Sequence, residues 1–143
     1  MTGTPHALSA EDLARDAPVA TLASDLHTWK YVRGAEVEYR GDSSRFSSVV
    51  SRTLLFATPA GARSYVTMVG ANPAAFMGLG TTVAPVRSNG RSGYLLTAGS
   101  CGCATEVPQL LAVVSAGRTA TWLEATGRRT SRSAVLELLR FAP

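Results

Sequence analysis

Apolar and polar positions alternate in this chain in two different rhythms, and the change from one to the other marks the elements. Leu8-Ser9-Ala10-Glu11-Asp12-Leu13 places a serine before an acid three residues on, with apolar residues at either end, which predicts a short capped helix ended by Pro18. From Trp29 the period becomes two. Val37 and Tyr39 alternate with Glu36, Glu38 and Arg40, the pattern of a half-buried strand. Gly41-Asp42-Ser43-Ser44 supplies turn residues, and Phe46 to Phe56 is rich in β-branched and aromatic residues, so the two runs predict an antiparallel hairpin.

Thr58-Pro59 then starts a helix, with threonine as cap and proline at the first helical position; Ala62, Tyr65, Val66 and Val69 fall on one face before Gly70 and Asn72-Pro73 break it. The small and apolar residues of Ala71 to Gly80 suit a loop or one helical turn folded on the core, or a lid. Thr81 to Val86 and Tyr94 to Thr97 predict strands joined by Arg87 to Gly93 with its Asn-Gly turn. Leu110 to Val114 and Thr119 to Ala125 flank Ser115-Ala116-Gly117-Arg118 as another hairpin, with Thr119, Thr121 and Leu123 on one face and Trp122 on the other. Ser131 or Ser133 caps a final helix with the apolar stripe Val135, Leu136 and Leu139. The order is helix, two strands, helix, four strands, helix. It predicts an α+β fold, a single domain with a largely antiparallel sheet of about five or six strands and helices packed mainly on one face. An N-terminal segment, residues 1–28, precedes a core domain, residues 29–143.

Composition narrows the function classes. With 143 residues the chain has enough length for one sizeable core, and 45% hydrophobic with 17% charged residues is ordinary for a globular protein. No run approaches the roughly 18 apolar residues of a membrane span. The basic residues are thirteen arginines and the single Lys30, a bias typical of a high-GC genome such as an actinobacterium. Net charge is +4, yet only Arg128, Arg129 and Arg132 cluster, so the basic face of a nucleic-acid binder is missing. Met1 to His6 lack the basic and apolar regions of a secretory leader, so nothing in the chain as given directs export.

The sharpest chemical feature is Ser100-Cys101-Gly102-Cys103-Ala104, which holds both cysteines in a loop after a strand. Two thiols one residue apart can form a strained disulfide, bind a soft metal, or sit reduced, and the surrounding residues do not choose among these. A disulfide there encloses too short a loop to add much stability and would act by stiffening the loop. His6 and His27, the only histidines, show no metal-ligand spacing with the cysteines. His27 with Asp25 or Glu124 could serve a cysteine nucleophile in residue type only, and Glu36 and Glu38 share the polar face of one strand; neither is a catalytic motif. The reading assigns no catalytic residue, metal ligand or cofactor.

The run Arg52-Thr53-Leu54-Leu55-Phe56-Ala57-Thr58-Pro59-Ala60-Gly61-Ala62-Arg63-Ser64-Tyr65-Val66, and the strand Ala120-Thr121-Trp122-Leu123-Glu124-Ala125-Thr126-Gly127 before a leucine-rich helix, resemble small secreted or lipid-anchored actinobacterial domains. That group includes mycobacterial lipoproteins and kinase extracellular sensor domains with a sandwich like that of photosystem II extrinsic proteins. The resemblance spans roughly Trp29 to Phe141 and brings no catalytic residue. It implies an extracytoplasmic domain, with the cytoplasm as the alternative, that binds a small apolar ligand, an envelope component or a protein partner. Having both cysteines in one short loop is a departure from those sensor domains, where cysteines tend to join distant elements.

The leading expectation is therefore a non-enzymatic binding or interaction domain. Its pocket is expected between the sheet and the Ala71 to Gly80 segment, with Trp29, Tyr65, Phe76, Met77, Tyr94 and Trp122 as ligand-binding candidates. The alternative is a thiol-dependent redox or soft-metal-binding protein using Cys101 and Cys103.

Overall fold

A computed structural model of the chain describes residues 3–41, 45–100 and 106–143. Among these, seven strands form one antiparallel sheet in the order β1-β2-β3-β7-β6-β5-β4. The strands are β1 (His6–Leu8), β2 (Tyr31–Arg40), β3 (Ser48–Phe56), β4 (Thr82–Ser88), β5 (Arg91–Thr97), β6 (Gln109–Ala116) and β7 (Thr119–Thr126). The helices are α1 (Ala10–Asp16), α2 (Leu22–Thr28), α3 (Pro59–Ala71), α4 (Pro73–Met77) and α5 (Arg132–Phe141).

The local signals act as anticipated. Ser9 and Asp12 form the capping box of α1, the Thr58 hydroxyl accepts from the Gly61 amide at the start of α3, and Ser131 accepts from the Ala134 amide at the start of α5. Asn89 and Gly90 both have positive φ, +52 and +74, as a two-residue type I′ hairpin requires. That turn is tighter than the Arg87 to Gly93 loop predicted from composition, because Arg87, Ser88, Arg91 and Ser92 pair within the exposed hairpin despite their polarity. The Ala71 to Gly80 segment contains the short helix α4. The three-residue edge strand β1 and the helix α2 were not anticipated, and β1 brings the strand count to seven.

After β3 the chain crosses the sheet as α3, enters the far edge as β4, and returns by successive hairpins until β7 pairs with β3. The sheet therefore has two unequal faces. One carries α1 to α4 over a core containing Leu26, Leu54, Phe56, Tyr65, Val69, Leu96, Leu111, Val113 and Trp122. The other carries, among the described residues, the one helix α5, over Phe46, Val49, Val86, Leu95, Leu110, Ala112, Val114, Leu123 and Ala125. Trp122 and Leu123 thus point to opposite faces, in keeping with the strand period. Among the described residues this single helix does not cover the whole of that face, and the β2-β3 side of it is left open.

Candidate functional site

Two sites flank the sheet, one on each face. On the four-helix face, Arg52 of β3 sits opposite Trp122 of β7 in the strand register and lays its guanidinium carbon 5.1 Å from the centre of the indole ring. Its Nε donates to Glu36 on the neighbouring strand, and its Nη2 donates to Asp16, at the end of α1, over 3.1 Å. Glu36 also meets His6 Nε2 at 3.0 Å, so β1, α1, β2 and β3 are joined by one charged cluster. Phe76 of α4 packs edge-to-face with the same indole, its ring centre 5.4 Å from that of Trp122.

Between these groups lies a cavity of about 100 Å³, lined by Asp16, Arg52, Tyr65, Phe76, Trp122 and Glu124 over an aliphatic floor of Leu13, Ala17 and Leu22. Burial raises the pKa of the Tyr65 hydroxyl, an effect that Arg52 partly opposes. The indole Nε1–H of Trp122 is buried with no hydrogen-bond partner among the described residues. This is the place where the sequence pointed, beneath Ala71 to Gly80, but Arg52, Asp16 and Glu124 give it a polar lining.

Three of the six aromatic and methionine candidates, Tyr65, Phe76 and Trp122, converge on that cavity. The other three do not. Trp29 ends α2 and lies in a shallow depression on the outer side of α3, beside Arg63, Ser64 and Thr67. Met77 packs part-buried against the core. Tyr94 lies under α3, where Gly70 leaves room for its ring: a Cβ at Gly70 would stand 2.6 Å from it. Cys101 and Cys103 lie outside the described residues; the flanking Ser100 hydroxyl donates to Glu106 over 2.8 Å. His27 is exposed on α2.

The second site, on the opposite face, was not anticipated. A groove of about 280 Å³ runs where α5 stops short of the β2-β3 hairpin, walled by Tyr39, Phe46, Val49, Leu123, Leu138 and Phe141, with Ser51 as a polar contribution. Phe141 is 82% exposed at its rim. The wall formed by the end of α5 is fixed: Arg91 donates to the carbonyls of Leu139 and Ala142, and the Thr121 hydroxyl donates to the Pro143 carbonyl over 3.2 Å. A guanidinium on the last carbonyls of a helix is also favoured by the helix dipole. Such a groove can take an apolar group without first being ordered, which removes one of the costs of binding.

Comparison with protein-family models finds no match, and comparison with curated proteins finds none either. Among solved structures the chain is similar to the extracellular domain of PknH from Mycobacterium tuberculosis, with a TM-score of 0.58 over 97% of this chain and 81% of that one. The likeness is one of fold. Sequence identity is 13%, so what is shared is the fold.

Proposed function

We propose that this is a non-enzymatic, extracytoplasmic binding domain, and that its apolar groove between α5 and the β2-β3 hairpin holds a small apolar ligand or the apolar part of an envelope component. The observation that carries the reading is the exposure of Phe141 at the rim of a preformed apolar groove. A large aromatic side chain exposed at the rim of such a groove extends its apolar surface and supports reading the groove as an interaction site. The likeness in fold to an extracellular domain supports the setting.

A homologous series of linear alcohols tests this. Each methylene moved from water into the groove contributes about 0.8 kcal/mol, or roughly a fourfold change in dissociation constant. Titration of the full chain with 1-hexanol, 1-heptanol and 1-octanol is expected to give saturable binding that tightens by about that factor per carbon, and Phe141→Ser is expected to weaken the whole series. Equal affinities along the series, or no saturation, would refute the proposal.

A further inference from the structure

We infer that the ligand of the apolar groove is a single-chain amphiphile with an uncharged, hydroxyl-bearing head, of the kind an alkyl glycerol presents. The inference rests on the reading of that groove as a binding site and names the chemistry of what fills it. The alkyl chain lies among Tyr39, Phe46, Val49, Leu138 and Phe141, and the head lies over Ser51 and Thr53 of β3.

The first observation is a change of polarity along the floor. Val37, Ser51 and Leu123 stand side by side in the strand register, and Ala35, Thr53 and Thr121 form the next row, two residues along each strand. Val49 and Leu123 belong to the core on the α5 face, and strand residues two apart share a face, so both rows continue the face on which the groove lies. Ser51 lines the groove itself. Pro143 lines it too, and its carbonyl accepts from the Thr121 hydroxyl, so the second row adjoins the groove. Ser51 and Thr53 are part-buried and Ala35 is exposed. Among the described residues the hydroxyls of Ser51 and Thr53 have no hydrogen-bond partner, which leaves each of them to donate to a ligand or accept from it.

The second observation is the lining. Of the residues that wall the groove only Tyr39 has an ionisable side chain, and no carboxylate or guanidinium side chain is among them. A charged head would lose water there without a counter-charge in return, whereas a hydroxyl exchanges its water for Ser51 or Thr53 at little cost. The volume sets the length. At roughly 30 Å³ per non-hydrogen atom, the share of one water in the liquid, a groove of about 280 Å³ holds roughly nine. That is one chain of about eight carbons and its first head oxygen, not the two chains of a diacyl lipid.

The test is titration of the full chain, followed by NMR at pH 7.5 and below the micelle concentration, with three ligands of one chain length: 1-octanol, 1-O-octylglycerol and octanoate. Octylglycerol is expected to bind about fivefold more tightly than 1-octanol, the effect of one net hydrogen bond, and octanoate at least about tenfold more weakly than octylglycerol. The double variant Ser51→Ala/Thr53→Val is expected to bring octylglycerol down to the affinity of 1-octanol while leaving 1-octanol itself within about twofold. If 1-octanol binds but octylglycerol binds no more tightly, if octanoate equals octylglycerol, or if the folded double variant keeps the preference, this inference is overturned and the reading of the groove stands. If none of the three binds saturably, the reading of the groove falls and this inference with it. Should the double variant fail to fold, the three ligands on the unaltered chain decide the matter.

Discussion

Replacing Arg52 by leucine removes the group that ties β3 to α1 and β2, and the structure sets the size of the effect. Arg52 and Glu36 are each only 15% exposed, so Arg52→Leu strands a carboxylate that water barely reaches. Removing one partner of a buried pair costs about 3–5 kcal/mol. The lower end applies, because His6 remains 3.0 Å from Glu36. Asp16 is 49% exposed and adds little when its partner goes. The guanidinium also leaves the face of Trp122, a loss on the order of 1 kcal/mol that leucine offsets in part by apolar contact. The expected cost is about 3–4 kcal/mol, read as a fall of about 1.5–2 M in the urea midpoint at a slope of ~2 kcal/mol per M. The double variant Arg52→Leu/Glu36→Leu removes both charges and is expected to return to within about 1 kcal/mol of the unaltered chain. The reasoning fails if the single variant costs less than about 1 kcal/mol, or if the two substitutions simply add.

Two further predictions follow from packing and titration. Gly61→Ala would place a Cβ 2.2 Å from the backbone oxygen of Trp29, which cannot swing aside, whereas Gly70→Ala meets a side chain, the ring of Tyr94, at 2.6 Å. Thermal unfolding is therefore expected to show Gly61→Ala as the more damaging, by at least ~1 kcal/mol, although both gain helix propensity. The Tyr31 hydroxyl, which donates to the Leu8 carbonyl over 2.7 Å, has its pKa pushed up from 10.0 to about 12, chiefly by burial and secondarily by the charge of Asp12. A raised folded-state pKa means that its contribution is complete below pH 10 and is lost as pH rises from 10 toward 12. Tyr31→Phe is expected to flatten that alkaline decline in urea midpoints, and an unchanged decline would assign it to other groups.

The parts of the fold legible in the sequence are those fixed by neighbours along the chain. Ser9, Thr58-Pro59 and Ser131 announce α1, α3 and α5 because a cap is a contact between residues three apart. Asn89-Gly90 announces its hairpin because few other residues adopt positive φ twice in succession. The seven-residue helix α2 lacks such a signal: its N-cap, Thr21, makes no capping hydrogen bond. The three-residue β1 is too short to show a period, and its pairing with β2 is what defines it.

The sites were harder to read for the same physical reason. Arg52 occupies what looks like an ordinary polar position in a half-buried strand, and only the distant pairing of β3 with β7 sets it on Trp122. Tyr65, Phe76 and Trp122 could be named as aromatic candidates, but the carboxylates that make their cavity polar come from α1 and β7, elements whose approach no local pattern encodes. The apolar groove was missed because no local pattern sets Phe141-Ala142-Pro143 against β2 and β3. What turns that end into a wall is Arg91, some fifty residues earlier.

The central claim is that the apolar groove binds ligand, and mapping the bound position of 1-octanol by amide chemical shifts tests it most directly. The account predicts saturable shifts confined to the groove, at Tyr39, Phe46, Ser51, Leu138 and Phe141, with Trp29, Phe76 and Tyr94 unmoved. Shifts concentrated on the α3-α4 side, or scattered and linear to the solubility limit, would contradict it.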